Sequence, residues 1–395
     1  MAASGDRSSA AVLVRPMLGL ALGAGTLPLL YAGVFPLLLP AMAAQVGAGG
    51  LVAAEALLAL LPYLLWATLA RRRDERAPII AGGVLLAVAL AGLLVLLRRP
   101  LAPGDGVLLP GLLWAAAVAG AAGLVVGNHL RLVRLSGGSS GRTAVLAAAS
   151  ATLLGPILAN AILELLTPAA GQPGISSGPC LFWAAMALAL AFVSWRSPAV
   201  DAAPSAPANW PAILAATIGL VLLLAPIIWL NAVRLPLLVH AASVAGVAVP
   251  GLLGQAAMFG YLAIAVVLVL AALHPGLATL LAGPLAVAIV VWALVGLDIQ
   301  VPVSLAWAVS SDPAYALALI AGLAAILGRG AGPVRIALAW TALQAASVLG
   351  NRGGQAWWQQ NQFVVTDAMR QAGIGMAVLG ALVLLGIILA RRARG

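Results

Sequence analysis

Twelve apolar stretches, each long enough to cross a bilayer as a helix, fill nearly all of the 395 residues. A hydrocarbon core about 30 Å thick is spanned by about 20 mostly apolar helical residues. The stretches run roughly over residues 17–43, 50–70, 78–97, 106–127, 143–167, 178–195, 211–233, 243–273, 276–297, 311–328, 332–350 and 372–390. They are continuously apolar rather than alternating. That selects helices over barrel strands, since backbone polar groups in lipid must be satisfied inside a helix or a closed barrel. With 64% of residues hydrophobic and 8% charged, most of the surface must face lipid. The expected class is therefore an all-α polytopic membrane protein, with the lipid bilayer as its first partner. Residues 1–10 are polar and the first apolar run is long enough to stay in the membrane, so no cleavable signal peptide is expected.

The formal net charge of +10 does not indicate a nucleic-acid partner, because what matters is where the charge lies. With a cytoplasmic N-terminus, the inner side holds Arg7, Arg15, Arg71, Arg72, Arg73, Arg76, Arg131, Arg134, Arg142, Arg196, Arg329, Arg335, Arg391, Arg392 and Arg394. The outer side holds only Arg98, Arg99, Arg234, Arg352 and Arg370. This positive-inside asymmetry puts both termini in the cytoplasm, and an odd number of spans would spoil it. A lysine-free chain dominated by alanine and leucine points to a GC-rich coding sequence, hence a bacterial inner membrane. The single Cys180 makes no intramolecular disulfide and reads as a buried thiol. His129, His240 and His274 have no metal-binding spacing, and no phosphate loop, nucleophile elbow or zinc motif is present. No metal, cofactor or catalytic constellation is expected, and the chain reads as a non-enzyme. A membrane transferase would need acids or histidines gathered on a large loop, and the one long outer segment holds only Asp367.

The segment RSPAVDAAPSAPANWP, from Arg196 to Pro211, is the one long linker rich in proline and small residues. Proline disfavours continued helix and stiffens a linker without helping it build a core. The expected organisation is a six-helix half over 1–195, a cytoplasmic linker over 196–210 and a second six-helix half over 211–395. Six-helix halves with substrate held between them near the midplane are a recurrent transporter plan.

Three features resemble the major facilitator superfamily, and the resemblance covers essentially the whole chain. The run Gly25-Thr26-Leu27-Pro28-Leu29-Leu30-Tyr31-Ala32-Gly33-Val34-Phe35-Pro36 looks like a first span of that family. The second span ends in Ala70-Arg71-Arg72-Arg73-Asp74-Glu75-Arg76, where the family carries a glycine, an aspartate and several arginines. Here Ala67 stands at the leading glycine, Arg71 replaces the aspartate, and Asp74 and Glu75 stand where glycine and arginine are usual. In the fifth span, Gly155-Pro156 resembles the glycine–proline pair of antiporter branches, with Ala151, Ala159 and Asn160 in place of the flanking glycines. The resemblance implies a twelve-helix, two-half fold. It also marks Arg71, Arg72, Arg73, Asp74, Gly155 and Pro156 as gating or hinge candidates. Small residues let helices approach and proline bends one, so Gly155-Pro156 is either a hinge or a plain kink.

Ionisable groups inside a bilayer are costly and are functional candidates by default. Glu55 lies among Val52, Ala53, Ala54, Ala56 and Leu57, an apolar setting that suits a carboxylate to taking up and releasing a proton. It is the leading coupling candidate; the alternative is an interfacial carboxylate reaching outer water. Glu164 shares a helical face with Asn160, four residues before it, either lining the cavity or lying near the outer mouth. His240, with Arg234, is placed in the loop between spans seven and eight, as a titrating site or a solvated loop residue. Asp312-Pro313 reads as a helix start. Asn128-His129-Leu130-Arg131-Leu132-Val133-Arg134 is placed beyond span four, where its arginines anchor the protein at the lipid surface. The segment 351–371 is expected as an interfacial helix on the outer leaflet carrying Trp357 and Trp358, or else as a lid or protein-docking surface.

The function expected from these residues is secondary transport of a small apolar or amphipathic solute, by proton-coupled export. Tyr31, Trp114, Asn160, Asn231, Gln255, Trp340 and Gln344 would line a cavity poor in charge. The alternatives are a small-solute importer and a transport-dead assembly or partner subunit docked through the outer segment.

Overall fold

The computed structural model describes residues 6–136, 142–166, 177–200, 209–245, 249–273, 301–327 and 332–361. Expected spans nine and twelve, with His274, Asp298 and residues 362–371, lie outside them. So do the side chains of Glu164, Arg234, His240 and Gln255. The described chain is helical throughout: α1 (Asp6–Pro28), a π-turn (Leu29–Val34), α2 (Phe35–Arg72), α3 (Arg76–Leu96), α4 (Leu108–Leu135), α5 (Arg142–Leu166), α6 (Ser177–Arg196), α7 (Trp210–Ala245), α8 (Val249–Leu273), α9 (Val301–Leu327) and α10 (Pro333–Asn361). Seven stretches among the described residues are long and apolar enough to cross a membrane. This is a multi-pass membrane protein.

The chain divides into two compact units, Met1–Ile213 with Ile326–Thr341, and Leu214–Ala325 with Ala342–Gly395. In the first unit, α4 packs on α1, α2 and α3, α3 also packs on α6, and α1 on α5. Lipid tails are as apolar as leucine, so these contacts depend on close van der Waals packing rather than on burial from water. Glycine supplies the closeness. A Cβ on Gly123 of α4 would sit 2.9 Å from the Gly82 Cα of α3, and one on Gly155 of α5 would sit 2.8 Å from the Gly25 nitrogen of α1. Gly155 is therefore a backbone-to-backbone contact between α1 and α5, with Pro156 inside the same continuous helix. In the second unit, a Cβ on Gly350 of α10 would meet Ala225 and Ile228 of α7, and one on Gly354 would meet Ala232 and the Trp229 carbonyl.

Several boundaries differ from the sequence expectation, and each difference relocates a polar residue. The first two spans join without an unwound loop: the break is one residue, Gly47, at φ 68°. A side chain there would meet nothing within 4 Å, so what selects glycine is the left-handed backbone. Helix α4 runs to Leu135, eight residues past the expected end of span four, so His129, Arg131 and Arg134 are helical rather than trailing in a loop. Arg234 and His240 lie within the 36-residue α7, not in a loop. Asp312-Pro313 does not start a helix; α9 begins at Val301 and carries both in its interior. Residues 351–361 are not a separate interfacial helix but the continuation of α10. At 29 residues, α10 is about 43 Å long, more than the hydrocarbon thickness, so one helix accommodates both the apolar and the glutamine-rich parts. The Trp357 ring packs edge-on against Trp229 of α7 at 5.4 Å between centroids.

Candidate functional site

Helix α2 buries one stripe at four- and three-residue spacing: Leu51, Glu55, Ala59, Tyr63, Ala67 and Ala70. Glu55 therefore faces protein, with 4% of its surface exposed. Two turns further along the stripe, the Tyr63 ring lies parallel to Trp340 of α10, 6.2 Å between centroids and 9° between planes. Trp340 lies in the part of α10 that belongs to the first unit. Its indole Nε1 donates a 2.9 Å hydrogen bond to Nδ1 of His129 on α4, and the two rings meet edge to face. His129 is fully buried, and the lipid-facing reading of this part of α4 is corrected by burial of Asn128, His129 and Arg131 alike.

A second polar group lies one turn further along α4. Glu75, in the turn between α2 and α3, is completely buried. Its carboxylate accepts from the Arg134 guanidinium and from the Val200 N–H at 2.8 Å, with Arg131 Nη1 3.8 Å away. The same arginines reach the chain leaving α6: Arg131 donates to the Pro198 carbonyl at 3.3 Å and Arg134 to the Val200 carbonyl at 3.1 Å. Arg76 donates to the Ser197 carbonyl at 3.0 Å, and Arg15 of α1 to the hydroxyls of Ser194 and Ser197. Two acids and four arginines thus tie the first residues of the linker to α1, α3 and α4. Asp74 is the outer member. Burial would raise its pKa, but bonds from the Arg76 side chain and from the backbone N–H groups of Arg76 and Ala77 hold its carboxyl below the usual range. The gating candidates Arg71, Arg72 and Arg73 are exposed, while Glu75, a departure from the family motif that was not among those candidates, is the buried centre.

A third group surrounds the π-turn. Such turns insert one residue into the helical ladder and recur at functional sites. This one presents Tyr31 to Trp114 of α4 at 5.7 Å and to Phe35 at 5.8 Å. Trp114 is buried, and its Nε1 has no hydrogen-bond partner among the described residues. Below it, the Trp183 indole of α6 donates to the Thr26 hydroxyl at 2.8 Å and to the Leu22 carbonyl at 3.1 Å, closing α1 against α6.

The expected cavity residues divide between the units. Tyr31, Trp114, Asn160 and Trp340 belong to the first; Asn231, Gln255 and Gln344 belong to the second. Asn160 is exposed on α5, while Asn231 is half-buried, with its Oδ1 lacking a partner among the described residues. Asp312 of α9 lies against Gly260 of α8, where its carboxylate occupies the space a Cβ would fill. It is an acid in a helix interior that the cap reading had placed at a water-exposed end. Among the described residues, no group of three or more His, Cys, Asp and Glu side chains is placed to hold a metal ion.

No family model matches the sequence, and no curated protein matches it. Solved structures do. The major facilitator superfamily transporter FucP, in its outward conformation, aligns over 97% of this chain and 99% of its own at TM-score 0.68 and 14% identity. The chain has the major facilitator fold. The human organic anion transporter MFSD10 aligns over 96% of this chain and 99% of its own at TM-score 0.62 and 16% identity. The proton:xylose symporter XylE aligns over 96% and 95% at TM-score 0.60 and 15% identity. This fold has twelve membrane-spanning helices in two halves, as the apolar stretches had indicated.

Proposed function

We propose that the protein is a secondary transporter that moves a small apolar or amphipathic solute by alternating access, with proton coupling and in the direction of export. The observation that carries this reading is Glu55, a carboxylate buried to 4% exposure on the protein-facing stripe of an apolar helix. A buried intramembrane acid is costly and marks ion and proton pathways. Two of the structural neighbours are named as proton symporters, for fucose and for xylose, and a third as an organic anion transporter, which supports the transporter class. The few acids among apolar and aromatic side chains suit a solute carrying little charge. Export rests on the Gly155-Pro156 resemblance to antiporter branches. The lysine-free, alanine- and leucine-rich composition supports a bacterial inner membrane and the arginine asymmetry supports cytoplasmic termini, with the linker over 196–210 as the joint between two six-helix halves.

The experiment is solute and proton flux in proteoliposomes across a panel of amphipathic solutes, with wild type beside Glu55→Gln. The expected result is solute-dependent proton movement opposite in direction to the solute, lost in Glu55→Gln while the variant still folds. Fluxes in the same direction would replace export by symport. Undiminished coupling in Glu55→Gln would remove Glu55 from the mechanism. Silence of folded wild type across the panel would favour the transport-dead partner subunit.

A further inference from the structure

The geometry points to His129 as a proton-binding site whose occupancy is exclusive with the Trp340 hydrogen bond, so that protonating this one ring releases α10 from α4. The argument begins at the acceptor. An imidazole nitrogen that accepts an indole N–H carries no proton, so the observed bond requires neutral His129 with its hydrogen on Nε2. A second proton has only Nδ1 to go to, and there it would point N–H at N–H. The bond and the proton therefore compete for the same lone pair, as a two-state switch demands.

The other ring nitrogen shows that the closed arrangement is not the histidine's most comfortable state. His129 Nε2 is buried with no hydrogen-bond partner among the described residues. An orphaned buried donor is costly and calls for an explanation. Water reaching the ring would accept from Nε2–H and conduct a proton from the bulk solution to Nδ1 in the same event.

Among the described residues, the bond from Trp340 is the one hydrogen bond of the His129 ring. The charged and titratable groups on the elements around α4 are Asp6, Arg7 and Arg15 on α1, Tyr31 in the π-turn, Glu55, Tyr63, Arg71 and Arg72 on α2, Arg73, Asp74 and Glu75 in the turn before α3, Arg76 on α3, Arg142 and Glu164 on α5, Cys180 and Arg196 on α6, Arg131 and Arg134 on α4 itself, and Arg335 and Arg352 on α10. The nearer acids are committed: Asp74 to Arg76, and Glu75 to Arg134. Glu55 lies two turns along α2 from Tyr63, about 12 Å of helix. A charge on His129 is thus held where water reaches it, which requires the tryptophan to leave. His129 and Trp340 both lie in the first unit, so the bond ties the start of α10 to α4 within it. By linkage, whatever opens the contact makes His129 easier to protonate, and protonation favours the open arrangement by the same factor.

This extends the transporter reading with a second proton site, but its test does not depend on finding the solute. The full chain labelled with 5-fluorotryptophan is followed by fluorine NMR from about pH 3 to 8, a window carried below the ordinary histidine range because the proton must displace the indole bond. The Trp340 resonance is assigned by its absence in Trp340→Phe. The expected result is one titration step that moves this resonance between two positions. In His129→Asn, the amide oxygen replaces Nδ1 as an acceptor that takes no proton, and the resonance should stay at the closed position throughout. In flux measurements, the same variant should lose about tenfold of the pH-driven change in rate, a typical coupling factor. If His129→Asn does not fold, nitrogen-15 spectra of histidine-labelled wild type still decide the matter, through the change of Nδ1 from bare acceptor to N–H. A Trp340 resonance indifferent to pH, or one that titrates equally in His129→Asn, overturns the proposal. Coupled transport with an indifferent Trp340 would refute His129 alone; a titrating Trp340 without transport would refute only the carrier reading.

Discussion

Replacing Glu75 with glutamine keeps the size of the side chain and its acceptor for the Val200 N–H, but removes the one fully buried anion among the described residues of the first unit. Its second oxygen, which accepts from Arg134, becomes an amide donor facing a guanidinium. The partners have little water to fall back on, since the Arg131 and Arg134 side chains are 9% and 15% exposed. Breaking a buried pair by removing one partner costs about 3–5 kcal/mol, because the remaining charge stays buried and unpaired. The neighbouring Asp74–Arg76 pair is an internal standard, with side chains 27% and 31% exposed. Pairs of that kind contribute about 0–1 kcal/mol, and loss of the Asp74 cap on α3 about 1 kcal/mol. Reversible denaturant unfolding of the full chain in bicelles should therefore rank Glu75→Gln several kcal/mol below wild type and Asp74→Ala about 1 kcal/mol below. Adding Arg134→Met to Glu75→Gln should recover part of the loss, as a double-mutant cycle over directly paired groups requires. A Glu75→Gln cost under about 1 kcal/mol, or strict additivity with Arg134→Met, would refute the reasoning and make the cluster an ordinary solvated one.

Gly155→Ala should destabilise the first unit by about 1–3 kcal/mol, the range for overpacking, because the new methyl falls on the α1 backbone; unchanged unfolding would mean α1 and α5 can separate freely. Asp74 should contribute stability at neutral pH that disappears in acid. Its folded-state pKa is depressed, so the contribution is complete above about pH 4 and is lost as pH falls through the folded value. Melting curves of Asp74→Asn should accordingly converge on wild type only at low pH. Trp357→Ala should lower stability by about 1 kcal/mol through loss of its edge-on pair with Trp229; a pure interfacial anchor would change membrane association and leave unfolding untouched. Asp312→Asn in the flux assay should reduce proton coupling if the acid against Gly260 carries protons, and leave it unchanged if the carboxylate is structural.

Composition alone settled the class. A chain with 64% hydrophobic residues in runs of bilayer length has no soluble solution, and helices are the one way for such runs to satisfy their backbones in lipid. The central portions of α3, α5 and α6 were legible for the same reason, since hydropathy there changes abruptly at charged or proline-rich ends. Where the change was gradual, the boundaries were misjudged. Helices α4, α7, α9 and α10 each carry polar residues within the helix, and hydropathy reads such residues as loop. Those residues include His129, His240, Asp312 and Gln355. Glu55 stood out from sequence because its apolar neighbours are adjacent in the chain. Glu75 did not, because the partners that justify its burial are Arg134 and Val200, 59 and 125 positions away. His129 meets Trp340 across 211 residues. Local sequence determines which segments enter the membrane, because that depends on summed transfer free energy over one helix. Which polar groups face one another depends on helix rotation and on close approach at glycines such as Gly82 and Gly155, and only the packed tertiary structure decides it.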